Sequence, residues 1–488
     1  MASNQILFVT SEAYPLIKTG GLGDVAGSLP AALKAQRQDV RIIMPAYREA
    51  MRKAEKLGFA SFRMEGVPET VRLLAGRLPG TKVHLYLVDS PAHFDRPGGP
   101  YVDPDGHDWA DNAERFALFA RAAVAVALNK ADLDWQPDLV HCNDWQSGLV
   151  PALLAPYPKR PATVFTIHNL AYQGLFDAAK FHSLKLPTHL WGVDGLEFHG
   201  GLSFIKGGLV YGDMISTVSP TYAAEICTPD FGHGLDGLLN HRAAHLVGIL
   251  NGVDYQHWNP AKDPHIKYSY DRDHMAGKGR NKQQLQAQFG LPQRTSPPLL
   301  GLVGRLAEQK GIDLVLSIIP QLVKQDAQLV VLGTGDKRLQ SELQQAARHH
   351  PEHIAVHIGF SETMAHQIEA GADLFLMPSR FEPCGLNQIY SLRYGTAPVV
   401  RRTGGLADTV VDADEANIGR RSATGFVFEH ATHDGLWWAV QRAITLYRER
   451  PEVWKQLITT GMRQDFSWAK SAKQYLGLYQ QALAQRDA

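Results

Sequence analysis

Short apolar runs rich in β-branched residues recur along the 488-residue chain, separated by stretches of helix length. In the first half they are QILFVTSEA (5–13), DVRIIMPAY (39–47), KVHLYLVDS (82–90), PDLVHCNDW (137–145), ATVFTIHNL (162–170), MISTVSP (214–220) and VGILNGVD (247–254). Most lack strict alternation of apolar and polar residues. Such runs are strands covered on both faces, the mark of parallel sheets sandwiched by helices. The pattern breaks over 259–298, a polar stretch with scattered prolines that holds one helix near 279–289. It then restarts as PLLGLVGRL (298–306), QLVVLGTGD (328–336), IAVHIGF (354–360), ADLFLMPS (372–379), APVVRRTGG (397–405) and TGFVFE (424–429).

A chain of this length exceeds one hydrophobic core, and two α/β units of similar size are the simplest parse. The expected boundaries are 1–255 for the first unit and 256–462 for the second. Residues 463–488 follow as a tail whose WAKSAKQYLGLYQQALAQ (468–485) is an amphipathic helix in need of a surface to dock on. In doubly wound sheets, ligands sit at the carboxyl ends of the strands. Two such domains facing each other would make a deep cleft lined by strand ends.

Charge narrows the partners. With 49 basic and 49 acidic residues the formal net charge is zero, which favours neither nucleic acid nor a membrane surface. Arg401 and Arg402 form a local basic spot suited to a small anion. Cys142, Cys227 and Cys384 form no CxxC pair, so neither a disulfide framework nor a zinc site is indicated, and no metal or cofactor is assigned. The early first strand and the absence of an 18-residue apolar run lead to the expectation of a cytoplasmic protein.

Four stretches carry candidate chemistry. IKTGGLGDVAGSLPAAL (17–33) joins the first strand to a helix and brings Lys18, Gly20, Gly21 and Asp24 to that junction. Glycines let backbone N–H groups approach a ligand, and a helix start with a lysine beside it suits an anion. A plain βα turn with a solvated lysine explains the stretch equally well. HCNDWQSG (141–148) and TIHNLAYQG (166–174) place Asp144 and His168 at strand ends, able to exchange protons or bind sugar hydroxyls. A glycine- and aromatic-rich loop, FDRPGGPYVDPDGHDWADNAERF (94–116), is either a sugar-binding wall or a surface lid.

The second half is more specific. GLVGRLAEQKG (301–311) puts Arg305 and Lys310 past a strand end, an arginine fork and a mobile ammonium suited to a diphosphate. SRFEPCGLNQIYSLRYGTAPVVRRTGGLADTV (379–410) sets Glu382 just before a helix expected to start near Leu386, and Gly404–Gly405 before another. Helix N-termini favour anions, and Glu382 could accept sugar hydroxyls. Thr19–Asp24 (TGGLGD) is echoed by Thr403–Asp408 (TGGLAD), two similar loop solutions.

Together KTGGLGDVAGSLP (18–30), HCNDWQSGLVP (141–151), FTIHNLAYQG (165–174), ILNGVD (249–254), GRLAEQKG (304–311), SRFEPCGLNQ (379–388), RRTGGLADTV (401–410) and DFSW (465–468) resemble the bacterial glycogen synthase and plant starch synthase family of GT-B glycosyltransferases. The resemblance spans nearly the whole chain. It implies two Rossmann-like domains and a C-terminal helix crossing back to the first. It implies transfer of glucose from ADP-glucose to the 4-hydroxyl of an α-1,4-glucan with retention. By motif, Lys18 contacts phosphates or glucan, Asp144 and His168 belong to the glucose pocket, Arg305 and Lys310 hold the diphosphate, and Glu382 holds the donor glucose. Backbone N–H groups around Gly385, Leu386 and Asn387 meet phosphate or sugar oxygens. Asn251, Gly20, Gly21, Asp24, Gly404 and Gly405 join the substrate-binding set, and Phe360 matches a base-stacking position.

Three positions depart from the family pattern. Tyr390 replaces a second glutamate common in retaining GT-B enzymes, Asn387 stands for threonine and Gln146 for histidine. Other readings are a GT-B enzyme making a sugar phosphate disaccharide, a pyridoxal-phosphate phosphorylase, a non-catalytic sugar-binding regulator, and a dinucleotide oxidoreductase. The last lacks a GxGxxG after the first strand.

Overall fold

The computed structural model describes residues 3–54, 60–62, 64, 68, 70–131 and 133–487. The chain divides into two compact units, Met1–Gly252 with Trp468–Ala488, and Val253–Ser467.

The first unit is built on a nine-stranded sheet. Its strands are β1 (Gln5–Val9), β2 (Asp39–Pro45), β3 (Ala60–Phe62), β4 (Arg72–Arg77), β5 (His84–Asp89), β6 (Leu139–Asn143), β7 (Ala162–Ile167), β11 (Met214–Thr217) and β12 (Leu246–Gly248). The order is β12-β11-β7-β6-β1-β2-β5-β4-β3. A second, three-stranded sheet holds β8 (Leu175–Phe176), β9 (Glu197–Phe198) and β10 (Gly201–Ser203). All seven apolar runs of the first half form strands, and these seven pair in parallel. β3 and β4 are antiparallel additions at one edge that the sequence reading did not anticipate. From β1 the chain winds outward through β2, then returns to lay β6, β7, β11 and β12 on the other side. The switch point therefore lies between β1 and β6, where crossover loops diverge and leave a crevice at the carboxyl ends.

The C-terminal helix Trp468–Asp487 belongs to this unit and packs on β7 and on the helix Gly21–Ala35. Tyr475, Leu478, Tyr479 and Ala482 repeat at helical spacing and are buried there. Tyr479 OH is 2.8 Å from His141 Nδ1, and His141 Nε2 is 2.6 Å from Thr166 Oγ1. Burial lowers the His141 pKa to about 3, so the ring is neutral.

The second unit carries a six-stranded parallel sheet of β13 (Leu299–Leu306), β14 (Gln328–Gly335), β15 (Ile354–Ile358), β16 (Leu374–Met377), β17 (Ala397–Arg401) and β18 (Phe426–Phe428). The order β15-β14-β13-β16-β17-β18 reverses between β13 and β16. Apolar side chains pack under Ile312–Lys324 and His433–Glu449 in one core cluster and under Ala276–Gln288 and Glu362–Gly371 in another. The anticipated helix in the polar stretch is Ala276–Gln288.

Candidate functional site

At the switch point of the first unit, β1 runs into Thr10–Ser11–Glu12. Glu12 is buried, and its carboxylate accepts Thr19 N–H (2.6 Å), Thr19 Oγ1–H (2.5 Å), Gly20 N–H (3.3 Å) and Tyr101 OH (2.6 Å). One carboxylate thus pins the Lys18–Gly21 loop to the glycine- and aromatic-rich loop 94–116. That loop is ordered further by the Arg96–Asp111 pair (2.6 Å) and by buried Arg115, which donates to the carbonyls of His93 and Pro100. Glu12 and Tyr101 were missed in the sequence, because an acid after a strand and one tyrosine among many carry no spacing signal.

Lys18 Nζ is 2.7 Å from Asp24 Oδ1 with its side chain 44% exposed. Such a pair contributes little and exchanges readily for another anion. Gly20 has an extended φ of −153°, and a Cβ at Gly20 or Gly21 would meet nothing within 4 Å. Neither backbone strain nor packing therefore demands these glycines, and what remains is the room they leave for a ligand at the N-terminus of Gly21–Ala35. The echo at Thr403–Asp408 is one of sequence only: Gly404, the counterpart of Gly20, has φ +43°.

Asp144 and His168 are the first residues beyond β6 and β7, on neighbouring strands. Asp144 Oδ1 accepts the His168 backbone N–H at 2.7 Å. Burial pushes its carboxyl up to about 7, against the opposing pull of backbone N–H groups from His168 and Asn169. Its backbone, φ 55° and ψ 178°, occupies a region that glycine alone visits freely, and strain of this kind concentrates at functional sites. His168 Nε2 is 2.9 Å from Asn143 Oδ1, while Asn143 Nδ2 donates to Val9 O. Asn143 Oδ1 must then accept, so His168 carries its proton on Nε2 and presents Nδ1 as an acceptor. Burial lowers the His168 pKa to about 3, which keeps the ring neutral. Gln146 Oε1 and Asn251 Oδ1 are buried with no hydrogen-bond partner among the described residues.

The second unit gathers its candidates at the β13/β16 reversal. Lys310 Nζ donates to Glu382 Oε2 at 2.5 Å, and Ser379 Oγ donates to the same oxygen at 2.9 Å. Gln309 Nε2 donates to Phe381 O, and Arg380 N to Gln309 O, so the two loops are laced together. Gly404 seats the third loop: a Cβ there would lie 2.0 Å from Glu382 O. Asn387 Nδ2 donates to Val303 O at 2.8 Å, which makes that side chain a staple and leaves its backbone as the candidate donor. Phe360, 88% exposed, stands just past β15.

Several details correct the sequence reading. Arg305 lies inside β13, one residue from its end, and is exposed. The helix after the EPCGL motif starts at Asn387 with Leu386 as its N-cap, where it was expected, but Glu382 is separated from it by a loop. That helix has 7 residues and Gly404–Thr409 has 6, so anion preference rests on single first-turn N–H groups. In Gly404–Thr409 those of Gly405, Leu406 and Ala407 are already taken by the Glu382, Pro383 and Thr403 carbonyls, against the expectation of an open helix start there. Arg401 and Arg402 do not form a joint basic spot, because each is engaged separately. Arg401 donates to the carbonyls of Arg380 and Glu429, and Arg402 pairs with Glu429 at 2.6 Å. Tyr390 stacks on Trp258, ring centroids 3.8 Å apart.

Comparison with known proteins defines the class. Residues 5–241 match the family profile of the starch synthase catalytic domain, and 283–458 that of glycosyl transferases group 1. A glycogen synthase of Thioalkalivibrio sulfidiphilus is 58% identical over 478 residues, 97% of this chain and 99% of the relative. Glycogen synthase 1 of Methylococcus capsulatus is 56% identical over 484 residues, 99% of this chain and 98% of the relative. The solved catalytic domain of starch synthase IV from Arabidopsis thaliana, bound to ADP and acarbose, aligns at TM-score 0.86 and 32% identity, covering 99% of this chain and 100% of that one. Sucrose-phosphate synthase from Thermosynechococcus elongatus shares the fold at TM-score 0.60 and 18% identity, over 99% of each chain. The fold is that of a GT-B glycosyltransferase. Within that class the chain belongs to the family of bacterial glycogen synthases and plant starch synthases. Among the described residues, no helix is long and apolar enough to cross a membrane.

Proposed function

We propose that this chain transfers glucose from ADP-glucose to the 4-hydroxyl at the non-reducing end of an α-1,4-glucan, with retention, as a cytoplasmic enzyme of glycogen biosynthesis. The observation that carries the donor assignment is the Lys310–Glu382 contact at the switch point of the second sheet, with Arg305 at the end of the same strand as the Lys310 loop. An ammonium and a guanidinium suit a diphosphate, and the carboxylate beside them suits a sugar hydroxyl.

As the donor C1–O bond breaks, negative charge grows on the departing β-phosphate. Arg305, Lys310 and the backbone N–H groups at Gly385–Asn387 stabilise that charge as preorganised groups, while Gly404 and Gly405 shape the loop beside them, the Gly405 N–H being held by the Glu382 and Pro383 carbonyls at 3.1 Å each. Glu382 orients the donor glucose. Phe360 offers an exposed ring face for the base, a contact that reads no specific base. In the first unit, Lys18, Gly20, Gly21 and Asp24 form the anion- and glucan-facing loop. Asp144, His168 and Asn251 form the glucose pocket, and His168 Nδ1 accepts a sugar hydroxyl.

Retention by double inversion needs a carboxylate nucleophile. Asp144 is turned toward the His168 backbone and Glu382 toward Lys310, and each is held by those bonds. Same-face attack guided by the leaving phosphate fits these residues better. A glycosyl adduct trapped on Asp144 or Glu382 would overturn that step. For the reaction itself, ADP-[14C]glucose and UDP-[14C]glucose are compared with glycogen as acceptor. Label in polymer from ADP-glucose, lost in Lys310→Ala, supports the proposal. Label mainly from UDP-glucose overturns the donor, and label from neither overturns the reaction.

A further inference from the structure

The second unit brings three histidines together away from the Lys310–Glu382 site. His257 and His265 lie on the segment that follows Val253, and His366 lies on the helix Glu362–Gly371. One nitrogen from each ring can be chosen so that the three lie within 4.8 Å of one another. The rings converge, with centroids 5.1 Å apart for His257–His366 and 4.5 Å for His265–His366.

Each imidazole has one nitrogen on an oxygen group. His366 Nδ1 is 2.8 Å from Asp263 Oδ2, His257 Nε2 is 3.0 Å from Glu362 Oε1, and His265 Nδ1 is 3.0 Å from Thr363 Oγ1. This is the outer-shell pattern of metal-bound histidine, in which an oxygen fixes the tautomer and turns the other nitrogen toward an ion. Asp263 is itself fixed by Tyr394 OH at 2.5 Å. The second observation is independent. His366 is 0% exposed, and its Nε2 has no hydrogen-bond partner among the described residues. A buried polar nitrogen without a partner destabilises the fold, a cost that packing of three rings leaves in place and a bound cation removes.

We propose that His257, His265 and His366 bind one divalent transition-metal ion of the zinc class. Imidazole nitrogen suits that class, and the Asp263 and Glu362 carboxylates beside the rings balance its two charges. Tetrahedral Zn–N bonds of about 2.0–2.1 Å require nitrogens about 3.3 Å apart, so the rings must draw inward. His257, 38% exposed and on a loop, is the ring free to move, while buried His366 is the fixed point. The ion has a structural role. It ties the 253–275 segment to the helix that follows Phe360, and through the His366–Trp258–Tyr390 ring stack (3.7 and 3.8 Å) to the helix after the EPCGL loop.

The test titrates Zn2+ into chelator-stripped full-length protein against a chromophoric zinc indicator, with Co2+ absorbance as a second probe. The wild type is expected to take up one equivalent more than the double variant His257→Ala/His265→Ala, whose two positions are half-buried and leave His366 in the core. Co2+ should give visible bands in the wild type alone, and Zn2+ should raise its melting temperature but not the variant's. Asp263→Asn should weaken uptake about 10- to 100-fold. Equal uptake by wild type and double variant, with both folded by circular dichroism, overturns the proposal.

Discussion

Lys310 Nζ and Glu382 Oε2 are 2.5 Å apart across 72 residues of sequence, and Ser379 holds the same carboxylate oxygen. The contact joins the loops after β13 and β16, so each residue sets the other's position. Removing Lys310 takes away one preorganised cation and leaves a mostly buried carboxylate with a hydroxyl partner. Lys310→Ala is expected to lower kcat by about 10²- to 10³-fold. The accompanying loss of stability falls between about 1 kcal/mol for an exposed pair and about 3 kcal/mol for a buried one. Residues acting as a unit are strongly non-additive, so Lys310→Ala/Glu382→Gln should fall little below the worse single variant. Steady-state kinetics on the four proteins decide it, and multiplicative losses would mean that the two act independently.

Glu12 gathers two loops on one carboxylate, which makes Tyr101→Phe an informative small change. It deletes the hydrogen bonds to the buried Glu12 carboxyl group (2.6 Å) and to Ser11 Oγ (2.7 Å) and keeps the ring, which lies 6.1 Å from Phe116. The expected cost is about 1.5–3 kcal/mol in urea unfolding. If loop 94–116 also lines the glucan side of the site, KM for glycogen rises while KM for ADP-glucose holds. A change in neither constant would make the loop a bystander.

Asp144 gives a pH dependence with a definite sign. Its carboxyl moves from 3.8 up to about 7 on folding, chiefly through burial. The folded state therefore holds a proton that the unfolded state releases between those values. Stability should fall as pH rises from about 4 through 7, by roughly 4 kcal/mol in the limit, and level off above. Asp144→Asn removes the titration and should flatten that slope. Asp144→Gly also relieves a backbone at φ 55°, ψ 178°, a conformation that costs about 1–3 kcal/mol. At pH 8 the glycine variant is expected to match or exceed wild-type stability while losing activity. Chemical denaturation at pH 4.5, 6 and 8 provides the readout.

These residues also show where sequence reasoning works. Strand existence was legible because parallel strands covered on both faces read as unbroken apolar runs, and all thirteen expected runs form strands. β3 and β4 escaped because RLLAGR and ASF are short and only partly apolar, as befits an edge. Asp144 and His168 could be placed at strand ends because β6 and β7 stop one residue before them. Glu12 could not, since its importance lies in four donors that converge only in three dimensions. The three histidines were invisible for the same reason: His366 is 101 positions beyond His265, and no metal motif has that spacing. Arg401 and Arg402 are adjacent in sequence but not joined in function, since their separate acceptors are seen only in the fold.

Tyr479 tests the tail. The helix Trp468–Asp487 buries two tyrosines and a leucine on the first unit, and Tyr479 OH reaches the neutral His141 ring at 2.8 Å. Tyr479→Phe should cost about 1–2 kcal/mol, because His141 loses a partner in a dry setting. Deleting residues 468–488 strips the cover from β7 and should leave no soluble folded protein, since each large buried side chain contributes about 1.5–3 kcal/mol. A soluble, cooperatively unfolding truncation would show that the tail is dispensable to the fold.

The glycines separate structure from ligand. Gly404→Ala places a Cβ 2.0 Å from Glu382 O at a backbone φ of +43°, so the variant must shift the loop that carries Glu382. It should lose both stability, by several times the about 1 kcal/mol of an ordinary glycine change, and activity. Gly20→Ala and Gly21→Ala meet nothing within 4 Å and need no left-handed backbone. Both should keep wild-type stability or gain up to about 1 kcal/mol from a stiffer unfolded chain. Any loss of kcat/KM in those two variants then reports the substrate itself, because the methyl has no other neighbour to disturb. Melting curves beside initial rates for the three proteins make the comparison. Full activity in both Gly20→Ala and Gly21→Ala would reduce that stretch to an ordinary βα turn and move the anion contact of the first unit elsewhere.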